Sequence, residues 1–122
     1  MDFHHEKIST GMDLEQFLRV LYPKQDKYRV AAAWFLKKIS ENNGIDGYEL
    51  SVLCKEKNIS RSTMQKVFKR LRALGLVERR AMKYYLNTEF STAVRRLGEA
   101  WKNIVKNNKF EFDENTLIIN VK

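Results

Sequence analysis

The stretch that decides the fold is ISRSTMQKVFKRLRALGLVER, residues 59–79. Ser60 offers the small oxygen acceptor that suits a helix N-cap, and Gly75 is the residue type that ends helices in the left-handed conformation. Between these two positions the apolar residues recur at helical spacing. They are Met64, Val67, Phe68, Leu71 and Leu74. The stretch therefore predicts an amphipathic helix over residues 60–74, with a strand beginning just after it.

The net charge of the chain lies entirely in the window of residues 55–83, which contains this helix. The window holds ten Lys and Arg against two Glu, which accounts for the formal net charge of +8. The other 93 residues carry 13 basic and 13 acidic side chains. A neutral body with one basic segment is typical of a protein that binds a polyanion. The alternative is a solvated face, because amphipathic helices often place Lys and Arg on their outer side.

The segment before the basic window is predicted to be mostly helical. The predicted elements are a flexible arm over residues 1–12, a helix over 13–22, a helix over 26–42, an extended link over 45–47 and a helix over 48–57. Asp13, with Gln16 three positions on, has the pattern of a capping box, and Pro23 marks the end of the first helix. Asn43-Gly44 supplies the stop signal of the second helix.

The segment after residues 59–79 is predicted to begin and end with strands. The predicted elements are strands over 76–80 and 84–87, a helix over 89–107 and a hairpin over 109–122. The length of 122 residues favours one domain over residues 1–122, with its core in residues 26–88.

The stretch 59–79 resembles the recognition helix and first wing strand of winged helix-turn-helix regulators. "S-R-S-T" at residues 60–63 opens the helix and "L-x-x-L-G-L-V" at residues 71–77 closes it, as in the MarR and GntR families. The resemblance covers roughly residues 46–87. It implies a fold that is mainly α with a small β-wing (α+β), here extended by an N-terminal helix, a long C-terminal helix and a C-terminal β-hairpin.

The outer face of helix 60–74 has the composition of a DNA-reading surface. Short polar side chains near the N-terminus of such a helix reach base edges in the major groove, which makes Ser62, Gln65 and Lys66 our candidates for base contacts. Other residues of this helix suit phosphate contacts, which position a protein without specifying sequence. They are Arg61, Thr63, Lys69, Arg70 and Arg72.

The predicted wing, residues 77–86, carries Arg79, Arg80 and Lys83 near its turn. In the winged-helix fold that the sequence resembles, this hairpin reaches the adjacent minor groove or the backbone. A narrow minor groove attracts Arg through its enhanced negative potential. The alternative is that these cations only keep an edge strand soluble.

Helix 89–107 carries an apolar stripe with alternating spacings of four and three, typical of a helix–helix seam. The stripe consists of Phe90, Val94, Leu97, Trp101 and Ile104. Gly98 beside it would permit close approach. We predict a homodimer through these residues, and the alternative is that the helix covers its own domain.

Several functional classes lack support in the sequence. Cys54 is the single cysteine and is interpreted as a buried apolar residue, with a redox role left open, and His4-His5 has no second ligand cluster. We expect no metal, no cofactor and no enzymatic activity, and the sequence reveals no effector pocket.

The start of the chain lacks the features of a secretory signal and no apolar run is long enough to cross a membrane, so we expect a cytoplasmic, nucleoid-associated protein.

The sequence therefore predicts sequence-specific binding of double-stranded DNA by a transcriptional regulator. Two alternatives stay open. One is a winged-helix module that binds other proteins of the transcription or replication machinery. The other is an architectural protein that coats DNA with low sequence preference.

Overall fold

The computed structural model of the chain describes residues 3–115. Over this range it is mainly helical with a small antiparallel sheet, which confirms the predicted α+β class. The helices are α1 (Leu14–Leu21), α2 (Asp26–Asn42), α3 (Gly47–Glu56), α4 (Arg61–Leu74) and α5 (Glu89–Lys106). The strands are β1 (Ile45–Asp46), β2 (Val77–Arg80) and β3 (Lys83–Leu86). Within the predicted arm, His5–Lys7 forms a short 3-10 helix.

The helix ends follow the local signals in the sequence. Asp13 and Gln16 form the predicted capping box at the start of α1. The Ser60 side chain accepts a hydrogen bond from the Thr63 amide at the start of α4. Asn43 and Gly75 take the left-handed conformation at the ends of α2 and α4. These predictions are confirmed because each depends on a few neighbouring residues.

The sheet has three strands in the order β1-β3-β2, whereas the sequence predicted a two-stranded wing. The predicted extended link supplies the third strand, since Ile45 pairs with Tyr84 in antiparallel register. Lys83 lies in β3 opposite Arg80, so the loop of the hairpin is only Ala81-Met82. β1 and β3 lie about forty residues apart in the sequence, and their pairing joins the start of α3 to the β2–β3 hairpin.

The chain divides into two compact units, Met1–Phe90 and Ser91–Lys122. The core of the first unit lies between α1, α2, α3, α4 and the sheet, and its largest fully buried side chains include Leu18, Phe35 and Leu71. The Phe68 ring on α4 contacts both α2 and β3, because its centroid lies 4.7 Å from that of Phe35 and 4.5 Å from that of Tyr84. These contacts fix the rotation of α4 about its axis.

The second unit contains most of α5. No residue of α5 is buried. Trp101 packs edge-to-face on Phe110, with 6.3 Å between the ring centroids. The first strand of the predicted C-terminal hairpin was expected at residues 110–112, where the structure has no strand. Its second strand, residues 117–121, lies outside the described residues.

Candidate nucleic-acid interface

All ten basic side chains of residues 55–83 are exposed. They are Lys55, Lys57, Arg61, Lys66, Lys69, Arg70, Arg72, Arg79, Arg80 and Lys83. Within residues 3–115, one of them makes an ion pair: Arg80 Nε lies 3.6 Å from a Glu78 carboxylate oxygen. The other nine positive charges are not neutralised by an acidic side chain of the described part of the chain, so this surface is strongly electropositive.

Helix α4 presents its polar face outward because its apolar face is anchored in the core. Val67, Phe68 and Leu71 are buried. The exposed residues of α4 are Arg61, Ser62, Gln65, Lys66, Lys69, Arg70, Arg72 and Ala73. This set includes the three predicted base-contact residues and four of the five predicted phosphate contacts on this helix.

Thr63 is a correction to the predicted site. Its side chain is only 4% exposed, and its hydroxyl oxygen accepts a hydrogen bond from the Ser60 hydroxyl at 2.9 Å. Thr63 lies on the same side of the helix as Val67, so the cap geometry turns it inward. It therefore belongs to the N-cap of α4 and not to the outer surface.

One open groove brings the outer face of α4 next to the β2–β3 hairpin. The groove has a volume of about 620 Å³. Gln65, Lys69 and Arg72 line it from the helix, and Arg79 lines it from β2. Candidate base-contact and wing residues thus share one surface, although 14 positions separate Gln65 from Arg79 in the sequence.

The arginines of the β2–β3 hairpin lie close to tyrosine rings of β3. The Arg80 guanidinium carbon lies 4.4 Å from the centroid of the Tyr85 ring, and that of Arg79 lies 5.8 Å from the Tyr84 ring. Stacking on an aromatic face fixes the plane of a guanidinium and leaves its edge N–H groups able to donate. At the tip, Ala81 and Met82 both have positive φ, and Met82 is 72% exposed.

Lys66 and Arg70 line a different pocket, between α4 and the connection from α1 to α2. Tyr22, Gln25 and Tyr28 line its other walls. The Arg70 guanidinium carbon lies 5.7 Å from the Tyr22 ring centroid. Burial raises the pKa of the Tyr22 phenol, and the positive charge of Arg70 opposes that shift. Sequence reasoning did not connect Tyr22, Gln25 and Tyr28 with Lys66 and Arg70, because only the tertiary fold brings them to α4.

Cys54 is a buried free thiol. Its Sγ lies 3.5 Å from the Sδ of Met64, and burial raises the pKa of the thiol. Both burial and the raised pKa disfavour the thiolate, which is the reactive form of cysteine.

The apolar stripe of α5 is exposed beyond its first turn. Val94, Leu97 and Trp101 are 47%, 73% and 60% exposed, while Ile104 is half-buried. Phe90 is a correction to the predicted dimer interface, because it packs edge-to-face on Phe17 within the first unit at 5.4 Å. The structure adds one residue that the spacing missed: Val105 is 52% exposed.

Residues 3–115 contain neither a candidate metal cluster nor a helix that could cross a membrane. No group of three or more His, Cys, Asp or Glu residues in this range could hold a metal ion. No helix in the same range has both the length and the apolar character needed to cross a membrane.

Comparison with known proteins places the chain in a family. No curated protein and no solved structure matches the chain. The matching family model is described as an archaeal family and extends over residues 12–107, which include α1 to α5 and all three strands. Because the match covers well over half of the sequence, the protein belongs to this archaeal family.

Proposed function

We propose that this protein is a winged helix-turn-helix regulator that binds double-stranded DNA and is not an enzyme. In this proposal α3 and α4 are the helix-turn-helix, α4 enters the major groove, and the β2–β3 hairpin is the wing. The observation that carries it is the shared groove of α4 and the hairpin. Gln65, Lys69 and Arg72 face this groove from one side and Arg79 from the other.

The charge distribution supports a duplex as the ligand. A duplex presents phosphates along both rims of each groove, so a protein that reads it needs cations on more than one element. Here the exposed cations lie on α4 and on the hairpin, and the two arginines of the hairpin make cation–π contacts with Tyr84 and Tyr85. A solvated basic face explains the exposure, but it gives no reason for the cations of two elements to line one groove.

In this proposal, the polar side chains near the start of α4 contact the bases. Ser62 and Gln65 are exposed there and carry no hydrogen bond to another side chain within residues 3–115. Gln forms a bidentate pair with adenine, and Ser accepts from or donates to several bases. We expect Gln65 to be the main source of sequence preference.

The exposed stripe of α5 supports a homodimer. A helix with no buried residue exposes Val94, Leu97, Trp101 and Val105 together. Most of the stability of a helix in a protein comes from packing of its apolar face, and a chain segment this short has little core of its own to pack that face against. Closed twofold dimers are the commonest assembly of soluble proteins. A dimer would present two copies of α4 about 34 Å apart and would recognise an inverted repeat.

The same stripe favours a second candidate function, a module that binds another protein through α5. In that case duplex binding would be weak and would not depend on Gln65. A dimer in solution without added partner would favour the regulator, since the second copy would already occupy the stripe.

The proposal is tested by measuring duplex binding with fluorescence anisotropy at a series of salt concentrations. Lys69→Gln and Arg79→Gln are each expected to lower the slope of log affinity against log salt by about one, because each removes one phosphate contact. Gln65→Ala is expected to relax base preference at one position with little change in slope.

Lys37→Gln is the matched control, because Lys37 is an exposed lysine on α2 outside the basic window. It should leave both the affinity and the slope unchanged. If a variant that combines Lys69→Gln, Arg72→Gln and Arg79→Gln binds duplex as the unmodified protein does, the proposal is wrong.

A further inference from the structure

The pocket between α4 and the α1–α2 connection has the features of an anion site. It has a volume of about 260 Å³. Lys66 and Arg70, one helical turn apart on α4, line one wall, and Tyr22, Gln25 and Tyr28 line the other. Neither cation makes an ion pair with an acidic residue within residues 3–115. The acid next to Gln25, Asp26, is held by Arg29 at 2.7 Å. The pocket wall therefore carries two uncompensated positive charges.

Tyr22 contributes a hydroxyl group without a partner. Its side chain is only 3% exposed, and its hydroxyl has no hydrogen-bond partner among the described residues. An unpaired buried hydroxyl is unfavourable and calls for an explanation in a native structure. Burial raises the pKa of this phenol, so it keeps its proton and remains a donor at neutral pH.

The N-terminus of α2 lies at the same pocket. Gln25 at the N-cap makes no side-chain hydrogen bond, and the first amide bonded within this helix is that of Arg29, which donates to the Gln25 carbonyl. The preceding amides of α2 are therefore left for solvent or a ligand, and the start of a helix attracts anions. Arg29 also donates to the Tyr22 carbonyl at 3.2 Å, which ties the end of α1 to this helix start.

We propose that this pocket binds a phosphate group of the duplex backbone on the side of α4 away from the wing. The inference rests on the proposed function and deepens it. Lys66 and Arg70 neutralise the phosphate, the first amides of α2 donate to it, and Tyr22 donates its hydroxyl once Arg70 has swung from the ring toward the anion. Lys66 is then a backbone contact and not a base contact. The duplex is held from both sides of α4, with the wing on one side and this pocket on the other.

Tyr22→Phe gives the sharpest test because stability and binding should change in opposite directions. Removing an unpaired buried hydroxyl is expected to keep or raise the thermal midpoint of the free protein. The same change is expected to weaken binding of a short mixed-sequence duplex by about three- to tenfold. A purely structural role for Tyr22 would leave duplex affinity unchanged.

A second measurement follows the backbone amides of Lys27 and Tyr28 by NMR during titration with the same duplex and, separately, with inorganic phosphate. We expect both amides to shift with the duplex, and Lys66→Gln to reduce the shifts and lower the salt slope by about one. Lys37→Gln is again the control, because Lys37 lines a different groove.

The outcomes separate this inference from the proposed function. Duplex binding with unmoved Lys27 and Tyr28 amides and with unchanged affinity of Tyr22→Phe overturns the phosphate pocket and leaves the regulator proposal standing. No duplex binding by the unmodified protein overturns both. If inorganic phosphate then still moves these amides, the pocket belongs to a free phosphate compound and not to DNA.

Discussion

Gly75 is the residue on which the junction between α4 and β2 depends most. Its φ is +82°, and a Cβ built there would lie 2.7 Å from the backbone nitrogen of Phe90. The Gly75 carbonyl also accepts a hydrogen bond from that nitrogen at 3.0 Å. Both the left-handed conformation and the close backbone approach require glycine at this position.

We therefore expect Gly75→Ala to lower the free energy of unfolding by about 1–3 kcal/mol, because the methyl group meets backbone that cannot easily move. Urea unfolding followed by circular dichroism measures the loss. Gly47→Ala is the matched control, since nothing lies within 4 Å of an added Cβ there. An equal effect of the two substitutions would contradict this account of Gly75.

At the residue scale, sequence reasoning succeeded where the cause is local. Ser60, Gly75 and the Asp13 capping box were predicted because caps depend on residues three or four positions apart. Thr63 was mistaken for a surface residue because its orientation depends on how the Ser60 cap and the core set the rotation of α4. The unpaired Tyr22 hydroxyl had no signal in the sequence, because its surroundings come from distant segments.

At the element scale, Gly98 is a feature of α5 that the proposed dimer would explain. Gly98 lies in the interior of α5, where glycine costs up to about 1 kcal/mol relative to alanine. Among the described residues, nothing lies within 4 Å of a Cβ added at Gly98. A second copy that packs closely beside Leu97 and Trp101 would explain why this position lacks a side chain.

Gly98→Ala is thus expected to raise the helix content of the monomer while shifting the monomer–dimer equilibrium toward monomer in sedimentation velocity. The added methyl group stabilises an isolated helix but obstructs the close contact. Asn103→Ala, on the opposite side of α5, should leave the equilibrium unchanged. A monomer at every concentration of the unmodified protein, or a Gly98→Ala variant that associates as tightly as the unmodified protein, would contradict the α5 dimer.

The elements themselves were mostly predictable, because helical periodicity and stop signals are strong in this chain. The exceptions are the long-range pairings. The Ile45–Asp46 segment was predicted to be extended, but its pairing with β3 could not be inferred from two residues. The strand predicted at residues 110–112 rested on alternation of aromatic and charged side chains, and the structure pairs nothing with it in the described part of the chain.

For the whole molecule, the concentration of charge in residues 55–83 is the reason to expect a polyanion at this surface. It did not predict how the cations divide. Lys69 and Arg72 line the groove beside the β2–β3 hairpin, while Lys66 and Arg70 line the pocket beside the α1–α2 connection. That division follows from the burial of Val67, Phe68 and Leu71, which leaves cations on both flanks of the exposed side of α4. A protein built in this way would hold a duplex along both flanks of one helix.

The most direct test of the central claim is selection of bound duplexes from a random pool by the purified protein at about 150 mM salt. The account predicts enrichment of an inverted repeat whose half-sites lie about one helical turn apart, with one enriched adenine lost in Gln65→Ala. Strong retention of duplex without any enriched motif would contradict sequence-specific reading and favour an architectural role. A protein that retains no duplex at all would contradict the DNA-binding proposal itself.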